Sequence, residues 1–401
     1  MNKQSQYHKY IKSKGESGYK ICSNCICDTS IPGISFDESG ICNFCDLHSK
    51  MDNDFPLQGN KGKDISKIVR EIKSRKFKGK HDCICGISGG RDSMYTLYYL
   101  KKVHKLNPLA VHFNDGFGNP VAGRNMVEGC DILGIKLITI TSDWRESKDI
   151  RLAFLKASTP DLGTATDIGI ATALFGVATK ENIKYVIIGQ SFRTEGIAPL
   201  LWNYLDGKYV KDVLQCHGTK KFRPWQPTDP GFNLGMKEIF FYTVLKRIKT
   251  IPLLYYLNYD RQEVDKILEK KLKWKNTGAH YFDDLYQSLM THVLRLKFNI
   301  DRRLFNYSAL VRSKQMTREF ALEKVKSKYN IEDPEIISLC LKRMGLTEEE
   351  FKTLMRRAPL TFLNYKNNFK IIKLFKPVIY ILSKWNYLPN STYFKYFKCG
   401  L

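Results

Sequence analysis

No uninterrupted apolar run in this sequence approaches the roughly 18 residues that a membrane-crossing helix requires, so no helical span is expected. Acidic side chains are scarce: 40 Asp and Glu stand against 65 Lys and Arg in 401 residues, a formal charge of +25. The imbalance fits an anionic partner such as nucleic acid, acidic lipid, a nucleotide or an acidic protein. It fits a basic organismal bias equally well, given the many Lys, Asn, Ile and Tyr. The start, Met1-Asn2-Lys3-Gln4, runs into polar sequence without an apolar signal region. An odd count of eleven Cys, with no such signal, argues against a secreted disulfide scaffold. A cytoplasmic protein is therefore expected. Internal repeats and low-complexity tracts are also missing. What remains is an ordinary globular composition, 43% hydrophobic and 26% charged, long enough for two or three structural units.

Short apolar runs alternate with helical spacing in the first half. Strands are expected at residues 82–87, 109–113, 136–140 and 185–188, and helices at 63–77, 93–104, 120–133 and 167–181. This alternation predicts an α/β fold, a doubly wound parallel sheet covered on both faces. Such sheets bind ligands beyond the carboxyl ends of their strands. From about residue 236 the spacing is helical, at 260–272, 283–297, 317–328, 334–344 and 347–356, and Thr347 with Glu350 makes a capping-box pattern. The expected division is a loosely packed basic arm (1–20), a four-cysteine module (21–62) whose residues from 47 on read as a linker, and a nucleotide domain (63–235). A helical substrate or partner region (236–360) and a basic amphipathic tail (361–401) follow.

The segment Ser88-Gly89-Gly90-Arg91-Asp92-Ser93 turns the first strand into a helix. Glycines there let the backbone approach a ligand closely, and successive N–H groups at a helix start form an anion nest. The Ser88 and Ser93 hydroxyls suit phosphate oxygens, and Asp92 suits a bridging magnesium ion. The spacing matches neither a Walker loop nor the dinucleotide pattern. Ser-Gly-Gly-x-Asp-Ser resembles the PP-loop of the N-type ATP pyrophosphatases, in which the loop grips pyrophosphate and chemistry occurs at the α-phosphate of ATP. The resemblance implies two further ATP contacts at later strand ends, around Asp115 and around Gly189. Asp167, at the start of its helix, is either a second magnesium ligand or a simple helix cap.

Cys22-x2-Cys25 and Cys42-x2-Cys45 have the spacing of two knuckles that share one tetrahedral zinc ion. Four thiolates make a closed, structural site; a sulfur-carrying role is the alternative, and Cys27 is a spare ligand. Cys130, Cys216, Cys340 and Cys399 are expected as small core residues.

The segment from Cys22 to Cys45 resembles the N-terminal signature of the N-acetyl sugar amidotransferases. Later motifs resemble the same family: Trp274-x3-Gly278 with His280-Tyr281, Lys297 with Asp301-Arg302-Arg303, Ser308-x-Leu310, and Gln315 with Arg318-Glu319. The pattern differs at Ala279 and at Phe282-Asp283. The resemblance covers roughly residues 20–330. It implies a PP-loop/adenine nucleotide α-hydrolase fold and an ATP-dependent reaction that converts a sugar acetamido group to an acetamidino group, for surface polysaccharide or glycan synthesis. The substrate would be a free or, more in keeping with the block of basic residues, a nucleotide-linked sugar. His280 would orient the acetamido group or accept a proton from ammonia, unless it is a structural histidine. Tyr281, Lys297, Arg302 and Arg303 would bind the sugar or its phosphates, unless the charges are those of a helix surface. Residue 2 is Asn and no Gly-x-Cys-x-Gly elbow is present, so ammonia is expected from a separate glutaminase with a barrel-shaped channelling subunit.

A PP-loop tRNA-modifying enzyme, of thiolase or lysidine-synthase type, would also explain the charge and the Cys pairs, but not the motifs after residue 274; nucleic acid is not favoured as a partner. A zinc scaffold with a decayed ATP site is opposed by the intact loop. Residues 361–401 hold seven Lys and no Asp or Glu. The tail is expected to pack on a partner or the core, or to lie on an acidic membrane at its inner face.

Overall fold

A computed structural model of the chain describes residues 7–57, 64–74, 79–219, 235–278 and 282–399. Five short parallel strands form its sheet: β1 (Cys83–Gly86), β2 (Pro108–Asn114), β3 (Leu137–Thr141), β4 (Tyr185–Ile188) and β5 (Lys249–Pro252). Their order is β3-β2-β1-β4-β5. The chain builds outward from β1 to β3, then crosses back to add β4 and β5 on the other side, with Ile84 opposite both Leu109 and Val186. A crevice opens where the winding reverses, beyond the carboxyl ends of β1 and β4.

The two-residue period of a strand sorts the side chains. Cys83, Cys85 and Ile87 meet Met94, Met126 and Leu268 in one core. Ile84, with Val111 and Val186, meets Phe154, Ala173 and Tyr209 in the other. Helices Arg91–Tyr98, Pro120–Leu133 and Arg261–Leu272 cover the first face; Trp144–Ala157, Thr164–Lys180 and Gly207–His217 cover the second. The doubly wound α/β sheet expected from the alternation is the observed fold, with a four-cysteine cluster before it and helices after it.

Cap chemistry sets many boundaries. Asn119 accepts from Val121 N at 2.8 Å ahead of Pro120, and Gly134 closes that helix in the left-handed conformation. Thr347 and Glu350 exchange backbone hydrogen bonds as a capping box.

Four stretches differ from expectation. Residues 47–54 are not linker but part of helix Asn43–Asp54, which buries Phe44, Leu47, His48 and Met51. Their i, i+3, i+4, i+7 spacing is helical, but His48 and the charges around it disguise the stripe. The arm does not hang loose where it is described: Tyr7 is fully buried, edge-on to Phe298 at 5.4 Å. β5 lies in the stretch expected to be helical, because four residues ending in Pro carry no strand period that can be recognised. The helix expected from 283 begins at Tyr286, leaving Asp283 and Asp284 in a loop.

Candidate active site

A cavity of about 890 Å³ occupies the crevice, lined by the turn after β1, the ends of β2 and β4, and several later segments. Its floor is the loop 87–93. Gly89 has φ +82°, and a Cβ there would sit 2.1 Å from Ala122 O. Glycine is therefore required both by conformation and by close approach. The Gly89 carbonyl accepts from Asn125 Nδ2 at 3.0 Å and Trp274 Nε1 at 2.9 Å, which fixes the loop from behind. The Ser88 and Ser93 hydroxyls lie 3.2 Å apart, and Ser93 Oγ accepts from Ser88 N at 3.1 Å. Gly90 caps the following helix without a side chain, so no cap side chain occupies its first-turn amides, and Gly90 to Ser93 line the cavity. A Cβ at Gly189 would meet the Asp92 carbonyl and Ser93 N at 2.8 Å, so the end of β4 can rest on this turn only as glycine.

The arginine of the loop is turned away from a phosphate role. Arg91 makes a two-pronged ion pair with Asp265 on helix Arg261–Leu272, Nη2 to Oδ2 at 2.8 Å. It ties the loop to that helix.

Among the charged groups of the walls, carboxylates outnumber cations. The Tyr259 hydroxyl donates to Asp92 Oδ1, while Asp92 Oδ2 is buried without a hydrogen-bond donor. The Glu195 carboxyl crowds it, and burial, then the charge of Asp92, pushes Glu195 up to about 8. Burial also raises Asp92. Asp283 and Asp284 complete this acidic rim, and burial raises both. Asp115 is engaged instead as a support: it pairs with the buried Arg151 and accepts from Thr166 Oγ1 at 2.7 Å and Phe117 N at 2.9 Å. Burial opposes its charge, but Arg151, the largest of the opposing influences, holds it below the usual carboxylate range.

The structure separates the expected substrate residues. Arg302 lines the cavity and donates to Gln287 Oε1 at 2.7 Å. Lys297 does not reach it; its ammonium is spent on the Leu354 carbonyl, and burial lowers it to about 8. Arg303 pairs with Asp301 (Nη2 to Oδ2, 2.7 Å) and donates to Ser327 O, on the wall of a second hollow. Asp167 lines the cavity, accepts from Asn203 Nδ2 at 3.3 Å, and lies in the first turn of the helix Thr164–Lys180, whose N-cap is Gly163. The cap reading is thereby excluded. His280 and Tyr281 lie outside the described residues. Glu195, Asp283, Asp284 and Lys395 are cavity residues that the spacing of motifs did not reveal. The signal for Glu195 was its place just after the expected β4 contact.

Away from the cavity, the Sγ atoms of Cys22, Cys25, Cys42 and Cys45 all lie within 4.8 Å of one another and can hold a metal. Cys27 is not among them; it faces Ser308 Oγ at 3.2 Å and Arg312 Nη2 at 3.0 Å. The later motifs attach this module to the body. Ser308 Oγ accepts from Ile26 N at 3.2 Å, and Arg318 donates to the carbonyls of Cys25 (3.1 Å) and Cys22 (2.9 Å).

Residues 275–378 match the family model for the C-terminal domain of WbpG-like LPS biosynthesis proteins. The match falls where the later motifs lie and bears out the resemblance there. An uncharacterised protein of Methanocaldococcus jannaschii is 28% identical over 126 residues, 31% of this chain and 44% of that relative, so the chain spans less than half of its length. Among solved structures, the NH3-dependent NAD synthetase of Campylobacter jejuni is 16% identical, covering 69% of this chain and 96% of its own at a TM-score of 0.31. The U34-tRNA thiolase of Methanococcus maripaludis, with its [4Fe-4S] cluster, is 15% identical, covering 82% and 98% at 0.31. Likeness this loose says nothing about the site.

Proposed function

We propose that this protein is an ATP-dependent, AMP-forming amidotransferase acting on the acetamido group of a sugar, most simply a nucleotide-linked one, for LPS or related surface-glycan synthesis. The observation that carries the reading is the anion-binding turn at the sheet's switch point, joined to a helical region that matches the WbpG-like C-terminal domain. An amide oxygen cannot leave as hydroxide. Its attack on the α-phosphorus of ATP breaks the bond to the β-phosphate bridging oxygen and releases pyrophosphate, with loss of the amide proton. Ammonia then adds to the imidate carbon, AMP departs, and an acetamidino group remains. This chain supplies position and charge stabilisation: the first-turn amides and the Ser88 and Ser93 hydroxyls hold the departing pyrophosphate.

Magnesium fits the Asp92–Glu195 pair, where a buried Asp92 Oδ2 without a hydrogen-bond partner lies against a second carboxyl in the cavity wall. When bound, it would neutralise phosphate charge. Zinc fits the cysteine quartet. Sulfurs about 2.3 Å from a central ion stand about 3.8 Å apart at tetrahedral geometry; Cys22–Cys45 is 3.8 Å, and Cys25–Cys42 and Cys42–Cys45 are each 3.7 Å. That spacing favours one ion over a multi-iron cluster, and a structural role.

Ammonia would come from a separate glutaminase through a channelling subunit. The tail segment Lys376–Lys384 exposes Val378, Tyr380 and Ile381 beside Lys376 and Lys384, with Leu374 81% and Trp385 61% exposed at its ends. Among the described residues no helix is long and apolar enough to cross a membrane. This face would instead lie on an anionic bilayer from the cytoplasmic side.

The experiment is mass spectrometry of products from ATP, ammonium salt and a panel of acetamido sugars. The expected product carries NH in place of oxygen, with AMP and pyrophosphate alongside. Glutamine should be inert with the isolated chain. Unchanged sugars throughout, with tight salt-sensitive tRNA binding, would replace this reading by a tRNA-modifying one.

A further inference from the structure

The tail does more than cover the surface. Asn386 O accepts from Thr250 N in β5 at 2.7 Å, which ties the approach to the last helix to the edge of the sheet. Helix Asn390–Phe397 then packs on the body through buried Phe394 and through Tyr396, whose hydroxyl donates to Leu205 O at 3.2 Å. Thr392, Lys395 and Tyr396, at i, i+3 and i+4, share one helical face, and all three line the cavity.

Lys395 therefore brings an ammonium into a cavity whose charged groups are mostly carboxylates. The opposite charges that act on it are those of Asp167 and Asp161. Asp161 is already engaged by Tyr204 N at 2.5 Å and Tyr209 Oη at 2.7 Å, and Asp167 by Asn203. Lys395 makes no hydrogen bond among the described residues, so its three donors are uncommitted. Across Asp167 stands Arg302, also in the cavity wall. Lys395 is half-buried and lines the cavity, so an anion that enters can meet its ammonium there. The loop after β1 offers neutral amides and hydroxyls, and its own arginine is held by Asp265. The cations of the cavity wall that the loop does not supply are Arg302 and Lys395.

We propose that Lys395, with Arg302 beside it, binds phosphate oxygens of a nucleotide in this cavity, so that the final helix of the chain completes the active site. The inference rests on the ATP-cleaving reading above and adds a residue and a segment to it. The phosphates belong either to ATP or to the nucleotide of the sugar substrate, and the two sources are separable.

The test is calorimetric binding to the full chain and its Lys395→Ala and Lys395→Arg variants. The probes are magnesium α,β-methylene-ATP, UDP-N-acetylglucosamine and adenosine. Lys395→Ala should weaken one phosphate-bearing probe by about 10- to 100-fold, the loss expected for a charge-assisted contact. Lys395→Arg should restore most of it, and adenosine should bind alike to all three. Loss on the ATP analogue places the lysine on ATP; loss on the UDP-sugar places it on the sugar nucleotide. Equal binding of both phosphate probes to wild type and Lys395→Ala overturns the assignment, and so does an equal loss for adenosine, which would mark a structural role. A wild-type chain that binds the UDP-sugar but not the ATP analogue overturns the ATP reading and leaves the lysine to be judged on the sugar arm.

Discussion

Two walls of one cavity are built in opposite ways. The turn after β1 is made of six consecutive residues whose roles follow from local geometry: a glycine that must have positive φ, hydroxyls that meet, and a helix start with open amides. The facing wall is assembled from Asp167, Arg302 and Lys395, which are far apart in sequence and converge only through packing. A local wall can be recognised from spacing and changed residue by residue. A convergent wall is as reliable as the whole fold behind it.

The largest expected effect breaks the local wall. Asp92→Asn should reduce pyrophosphate–ATP exchange, measured with sugar present, by about 100-fold or more, the scale found for removing a preorganised electrostatic partner. Ser93→Ala should be milder, because the amides of the first turn remain. If exchange in Asp92→Asn matches wild type, the turn is not where ATP is cleaved.

Next in size is removal of the metal from the quartet. Cys42→Ser should expose the module and the helix Asn43–Asp54 to proteolysis and lower the thermal midpoint, since four buried thiols without an ion lose their common partner. Limited proteolysis with and without a chelator is the measurement. An unchanged pattern would detach the metal from stability.

A smaller effect concerns pH. Burial and Asp92 raise Glu195 from 4.5 to about 8. A carboxyl whose folded pKa is raised favours the folded state while it is protonated; that stability is complete below the unfolded pKa and is lost as pH rises through the folded one. In magnesium-free buffer the thermal midpoint should therefore fall between about pH 4.5 and pH 8. Glu195→Gln should flatten the fall and be more stable than wild type at the alkaline end. Identical slopes would show that the two carboxyls are not coupled.

The smallest effect is at the tail's outer face. Leu374→Ser with Trp385→Ala should reduce co-flotation with anionic liposomes by about tenfold, since interfacial binding scales with buried apolar area, without altering nucleotide binding. Flotation of wild type that is absent altogether would leave the exposed face to another partner.

The same contrast explains what was legible in the sequence. β1, β2, β3, β4 and the helix Pro120–Leu133 stood out because a short apolar run, or a helical spacing of apolar residues, is written in adjacent residues. The loop and the cysteine quartet stood out for the same reason. Lys297 and Arg303 were expected in the site because they are basic and sit in a recognisable motif, but charge does not say which way a helix faces; Leu354 O and Asp301 claim them. Glu195 and Lys395 were hidden because nothing local distinguishes a buried carboxylate or ammonium from a surface one. Ser308 and Arg318, legible only as parts of a family pattern with no role attached, hold the cysteine module in place.

The four-residue helix Phe192–Glu195 has a consequence for how this protein can change. Arg193 is clasped by Asp52 at 2.7 Å and by the carbonyls of Phe55 (2.7 Å) and Tyr255 (2.9 Å), while Glu195, two residues on, reaches Asp92. One side of this segment holds the helix that follows the cysteine cluster, and the other lines the cavity. A single-residue insertion would turn the helix by about 100° and misdirect one side or the other. Loops elsewhere can lengthen over evolutionary time, but this stretch can vary only in the identities of its residues, and the two halves of the molecule must be inherited in step.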